Sequence, residues 1–259
     1  MALTLLRLEQ FQLLTENRVQ RTRSYGDRLL ELLESGESAV AAAKEKRDPL
    51  SLRTGAIEGA YRSPIDGSAQ PYWCYIPAKA AKAVAGAQGG AATQPYPLVV
   101  LLHGYVPSYN KLRWMNIDDR FGAIMESLGC CMLLPFGRGN TDFLSIGEED
   151  VLRAIEEVKR RCPIDEKRIY LAGYSMGGSG VWTMLAHYPG RFAAAQVWSG
   201  RNDYFYWHSD KYAAAGVSRE TIPPWKRWLI EADNPYDTPE TLRDLAIRVV
   251  HPPDDNLVQ

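Results

Sequence analysis

Only four histidines serve the 259 residues of this chain, and none follows position 251. Long apolar runs are also missing. Nothing approaches the roughly 20 apolar residues that a membrane-spanning helix needs, so no membrane association is expected. Met1 to Leu6 begin an apolar stretch, but Arg7 and Glu9 interrupt it too soon for the core of a secretory signal. An excess of charge of one sign is absent as well. The 30 basic and 31 acidic residues nearly cancel, with no basic block and no acidic tail. That argues against nucleic acid and against a highly charged partner. The four cysteines are Cys74, Cys130, Cys131 and Cys162, and their spacing fits no metal site. They read as reduced core residues, which fits a cytoplasmic protein. No metal and no organic cofactor is implied.

What is present suits one large α/β domain. The chain is 46% hydrophobic, enough for a sizeable core. Residues 1–58 read as a helical N-terminal extension, helical over 1–47. There Tyr25, Leu29, Leu32 and Leu33 recur at helical spacing. Gly36 is expected to break this helix, and Ser38 to cap a further one over 39–46. Residues 59–259 read as the main domain. It opens with strands at 59–64 and 70–77 around the turn residues Asp66-Gly67. Residues 78–94 are a low-complexity loop of Ala, Gly, Gln and Lys.

From Pro97 onward strands and helices alternate, which predicts a mostly parallel sheet. Strands are expected at 98–102, 131–134, 168–172, 193–198 and 246–250. The adjacent cysteines should face opposite sides of the strand at 131–134. The helix over 119–128 is expected to bury Phe121, Ile124, Met125 and Leu128. The helix from about Gly147 carries acids in its first turn, basic residues in its last, and Val151, Ile155 and Val158 as its core stripe. Residues 201–241 interrupt the rhythm with eight aromatic residues. They are expected to form a cap insertion. Its aromatics either line an acyl pocket or simply pack the insertion onto the sheet.

Two motifs carry chemistry. Gly173-Tyr174-Ser175-Met176-Gly177 stands between the strand at 168–172 and a helix over 176–187. Such a serine sits on a tight turn, where side chains two residues either side would collide. Met176 then opens a helix, so its N–H can face an oxyanion. The second motif is the strand-ending His103-Gly104-Tyr105, which offers the N–H of Tyr105 as the other donor. His103 itself reads as a brace for its loop.

In order, the motifs are strand-His-Gly, Gly137-Arg138-Gly139-Asn140, Glu148-x-Asp150-Val151, Gly-Tyr-Ser-Met-Gly-Gly, and His251-x-x-x-Asp255-x-x-Val258. This order resembles the α/β-hydrolase superfamily. Within it, the chain is similar to prolyl-oligopeptidase-type catalytic domains and to polyhydroxybutyrate-depolymerase-like and feruloyl-esterase-like proteins. The resemblance covers about residues 59–259. It implies a doubly wound, mostly parallel sheet and a serine hydrolase with a small ester or peptide substrate. It implies Ser175 as nucleophile, Tyr105 and Met176 as oxyanion-hole donors, and Asp255 as the triad acid. Asp254 and then Asp203 are the alternative acids.

The order of such a triad is serine, acid, histidine, and no histidine follows Asp255. His187 reads as a packing residue, His208 lies in the insertion, and His251 precedes the acid. The expectation is a hydrolase fold whose last strand and helix are missing from these residues, with little activity of its own. The leading function is ester hydrolysis. The alternatives are a serine peptidase, or a non-catalytic binding protein on the same fold.

Overall fold

The structure is a computed structural model. It describes residues 1–16, 23–46, 48, 50, 53–80, 94–107, 110–111, 117–205 and 218–255. Among the described residues, seven strands form one sheet: β1 Gly55–Arg62, β2 Ala69–Ile76, β3 Tyr96–Leu102, β4 Cys131–Pro135, β5 Ile164–Tyr174, β6 Ala194–Trp198 and β7 Ala246–Val250. Their order is β1-β2-β4-β3-β5-β6-β7. β1 and β2 are antiparallel, and β2 meets β4 antiparallel. The remaining pairings are parallel. The helices are α1 Ala2–Glu16, α2 Arg23–Lys44, α3 Asp119–Leu128, α4 Ile146–Arg161, α5 Met176–His187 and α6 Pro224–Asp233.

Each face of the sheet has its own core. One core joins Leu98, Val100, Leu102, Cys131 and Leu133 to Val151, Ile155 and Val158 of α4 and to Val181 and Met184 of α5. The other joins Cys130, Met132 and Leu134 to Met125 of α3. Cys130 and Cys131 thus face opposite sides, as the alternation of a strand requires. All four cysteines are free and buried.

The N-terminal helices pack on the antiparallel edge of the sheet. Leu6 of α1 is fully buried against Ala60 and Ala69. Arg7 pairs with Glu58 and donates to Ser35 of α2 at 3.0 Å, and the buried Gln10 donates to Lys111 O at 2.8 Å. α2 runs unbroken through Gly36, contrary to the break expected there. A Cβ on Gly36 would lie 3.6 Å from Cβ of Arg7. The glycine brings the two helices together instead of ending one, and packing outweighs its helix-weakening cost of about 1 kcal/mol.

α3 corrects a second expectation. Met125 is buried, but Phe121, Ile124 and Leu128 are 39%, 50% and 66% exposed. The helix seats instead through Gly122, where a Cβ would come within 2.9 Å of the Tyr75 ring. Its ends are well defined. Asp118 Oδ1 accepts from Phe121 N at 2.9 Å, and Gly129 closes the helix at φ 59°.

A buried carboxylate ties three elements together. Asp150 of α4 is 1% exposed. It accepts from the Tyr61 hydroxyl of β1 and from Gly137 N at 2.7 Å in the loop after β4. Burial outweighs these bonds and lifts its pKa from 3.8 to about 6.

Two predictions follow from these contacts. Met125→Ala should cost about 2–5 kcal/mol in chemical denaturation, while Ile124→Gln and Leu128→Gln should stay within about 0.5 kcal/mol. Equal losses at all three positions would contradict the seating of α3. For Asp150, the folded state holds a proton that the unfolded chain has lost between pH 4 and 6. Its contribution is therefore complete below pH 4 and declines as pH rises towards 6, by up to about 1.4 kcal/mol per unit. Denaturation curves of wild type and Asp150→Asn should show the wild type losing ground to the variant across that window.

Candidate active site

The junction of β5 and α5 places Ser175 at φ 54° and ψ −120°, a conformation that side-chain-bearing residues rarely adopt. Its N–H donates to Trp198 O of the neighbouring β6 at 2.9 Å, and its carbonyl accepts from Ser179 N at 3.0 Å. The flanking glycines are required by contact. A Cβ on Gly173 would lie 2.2 Å from Gly177 O, and one on Gly177 would lie 2.1 Å from Leu102 O. The helix therefore starts against the end of β3, where His103 begins the next turn.

That turn abuts the serine. A Cβ on Gly104 would be 3.6 Å from Ser175 Cβ. Tyr105 follows and is 64% exposed. Met176, the first residue of α5, carries one of the N–H groups that have no partner inside a helix. His103 is buried under this turn. Its Nδ1 lies 2.9 Å from Gly104 O, its Nε2 lies 3.0 Å from Phe136 O, and its ring centroid is 5.0 Å from that of Phe143. Burial keeps the imidazole below its ordinary pKa. The ring is held between carbonyls in a bracing position.

The other sequence candidates separate. β5, β6 and β7 are parallel, with Tyr174 opposite Trp198 and Trp198 opposite Val250. Ser199 N donates to Val250 O at 2.9 Å. The turn at 251–255 thus leaves the same edge of the sheet as Ser175, two strands away, or about 10 Å at ordinary strand spacing. Asp254 is exposed, whereas Asp255 is half-buried. Asp255 Oδ2 lies 3.6 Å from His251 Nε2. Asp203 is committed elsewhere. It accepts from Phe205 N at 2.9 Å and from the buried Asn234 at 3.0 Å, beside Arg219. His187 Nδ1 is 2.8 Å from Glu148, which raises its pKa. Glu148 also accepts from Ser145 N at 2.8 Å in the capping box of α4. His208, with Asn256 to Gln259, lies outside the described residues.

The segment from 201 to 241 is the crossover that carries the chain from the end of β6 to the start of β7. Within it α6 is followed by short 3-10 helices at Pro235–Asp237 and Pro239–Leu242, which pack on α5. Tyr204 is bonded to Thr183 of α5 at 2.9 Å, whereas Trp225, Trp228 and Tyr236 are 66%, 67% and 57% exposed. Tyr206, Trp207 and Tyr212 lie outside the described residues.

The loop after β4 is the part of the site that sequence reading left without a role. Arg138, Asp142, Phe143 and Ser145 all have positive φ, between 54° and 62°. Arg138 binds Ser63 at 2.5 Å and Asp66 at 2.8 Å, and Asp142 pairs with Arg201. Asn140 bonds to Val106, next to Tyr105. The glycine-rich motif was visible in the sequence, but the partners that tie it to the His103 turn and to the β1–β2 hairpin lie 34 and 75 residues away. Among the described residues, no group of three or more His, Cys, Asp or Glu side chains is placed to hold a metal ion. No described helix is long and apolar enough to cross a membrane.

Residues 145–256 match the prolyl oligopeptidase family. A bifunctional acetylxylan esterase/xylanase of Neocallimastix patriciarum is 29% identical over 110 residues, which is 41% of this chain and 16% of that protein. The match thus takes in well under two thirds of that relative. Among solved structures, the apoenzyme of an S-formylglutathione hydrolase from Staphylococcus aureus is similar at 16% identity and a TM-score of 0.52, over 77% of this chain and 79% of that one. A putative dipeptidyl aminopeptidase IV from Bacteroides ovatus is similar at 17% identity and a TM-score of 0.55, over 79% of this chain and 29% of that one. At such identities the structural likeness is one of fold. The family match takes in less than half of the chain, and what the chain shares with these two hydrolase structures is their fold, a mostly parallel sheet flanked by helices.

Proposed function

We propose that this domain is a serine hydrolase of carboxylic esters working through an acyl-enzyme on Ser175. The observation that supports it most is the backbone of Ser175, held at φ 54° where strand turns into helix. Such a conformation costs about 1–3 kcal/mol and persists where function uses it. In this reading Ser175 Oγ bonds to the acyl carbon and its proton passes to a base. The alcohol leaves with a proton, and water then releases the acid. The N–H groups of Tyr105 and Met176 receive the oxyanion. Asp255 orients the histidine that acts as base, and that histidine is drawn from outside the described residues.

Two further readings have support. The family match over 145–256 favours a peptidase that uses the same atoms on an amide. The pairing of Asp255 with His251, four residues before it, leaves Asp255 already beside an imidazole. That favours His251 as the base itself.

The test uses a fluorophosphonate probe, p-nitrophenyl esters and peptide anilides. Without a base, the 259-residue chain should react slowly with the probe, and Ser175→Ala should not react at all. Loss of one triad member leaves roughly 10³–10⁴-fold catalysis over water in well-studied enzymes. Rapid stoichiometric labelling of Ser175 would show that a base is present, and His208→Ala and His251→Ala would then identify it. Turnover of anilides over esters would favour the peptidase. Labelling unaffected by Ser175→Ala would defeat the proposal.

A further inference from the structure

The Gly137-Arg138-Gly139-Asn140 loop touches nearly every part of the site but has no role in the chemistry assigned above. Its residues are anchored from behind. Gly137 N is held by the buried Asp150 at 2.7 Å, Gly139 N donates to Phe136 O at 3.0 Å, and Thr141 Oγ1 donates to Gly137 O at 2.6 Å. Arg138 is fixed to the β1–β2 hairpin through Ser63 and Asp66. From this base Asn140 reaches forward, and its amide grips one residue twice. Nδ2 donates to Val106 O at 2.8 Å, and Oδ1 accepts from Val106 N at 3.3 Å. An adjacent strand would bond a residue in the same way.

The location of that grip gives it meaning. The Gly104–Tyr105 peptide has its carbonyl 2.9 Å from His103 Nδ1. A peptide is planar, with C=O and N–H on opposite sides, so in the tautomer that carries its proton on His103 Nδ1 the bond to this carbonyl sets the direction of Tyr105 N–H. The next peptide is held by Asn140. The two contacts bracket Tyr105 on both sides, in a turn whose Gly104 abuts Ser175. We propose that Asn140 is a positioning residue that clamps the 103–106 turn, so that Tyr105 N–H is aimed at the oxyanion before reaction begins. Oxyanion donors act by such preorganisation and lose their effect when they must reorient. The inference rests on the serine-hydrolase reading.

Asn140 is exposed, so its replacement disturbs no core. The test measures the rate at which a fluorophosphonate labels Ser175 in the full 259-residue chain, because the phosphonyl oxygen develops charge where the oxyanion would. Asn140→Ala should slow labelling about tenfold, the equivalent of about 1.4 kcal/mol, with the unfolding midpoint unchanged. Hydrogen exchange at the Tyr105 and Val106 amides should quicken in the same variant. Asn140→Asp keeps the acceptor for Val106 N and loses the donor, so its rate should fall between those of wild type and Asn140→Ala. Where an ester is turned over, kcat should fall with KM unchanged. Labelled wild type with Asn140→Ala within twofold of it, or unchanged exchange at residues 105 and 106, would overturn the role of Asn140 alone. Wild-type chain that is never labelled at Ser175 would overturn the hydrolase reading, and this inference with it.

Discussion

The turn at Ser175 is the constraint around which the rest is arranged. A serine at φ 54° is not stable by itself, and its neighbours hold it there. β6 takes its N–H, the first turn of α5 takes its carbonyl, and the end of β3 presses on Gly177. These contacts need three adjacent parallel strands in register. The order β3-β5-β6-β7 supplies them and sends the turns that follow each strand to a common edge. The site is thus a property of the sheet, and no single loop defines it.

Around this turn the loop after β4 acts as a frame. It accepts from or donates to the β1–β2 hairpin, α4, the His103 turn and Arg201 of the β6–β7 crossover. Four of its non-glycine residues lie at positive φ. Such strain survives only where surrounding bonds over-determine the backbone, and here they do. The buried Asp150 carries a cost of its own, since burial works against its charge. Its two donors keep the cost limited.

Two charged clusters outside the site have a different character. Arg219 with Asp237, Asp203 and Glu231 organises the crossover between β6 and β7. Arg7 with Glu58 fastens α1 to the sheet edge, and Lys111 with Glu9 ties it to the connection after β3. The described histidines divide in the same way. His103 and His187 are held by fixed partners within the frame, and His251 sits beside Asp255 at the open edge.

Much of this was legible in the sequence because it depends on local pattern. Alternation and apolar runs marked the strands, and helix 176–187 and strand 246–250 fell where the pattern put them. The Gly-x-Ser-x-Gly spacing announced the tight turn, since only glycine tolerates the contacts now seen at positions 173 and 177. Other features had no local signal. Gly36 looked like a helix stop and serves as a helix contact, because Arg7 of another helix lies against it. The apolar stripe of α3 looked buried, yet Tyr75 on a distant strand seats Gly122 and turns the stripe outward. Asp150 and Asn140 stood in recognisable motifs, but the sequence assigned neither a role. Partners 89 and 34 residues away made one a buried anchor and joined the other to Val106. The sequence by itself determined which backbone turns were possible. Only the tertiary structure decided which distant groups met them, because hydrogen bonds and burial depend on distance in space and not along the chain.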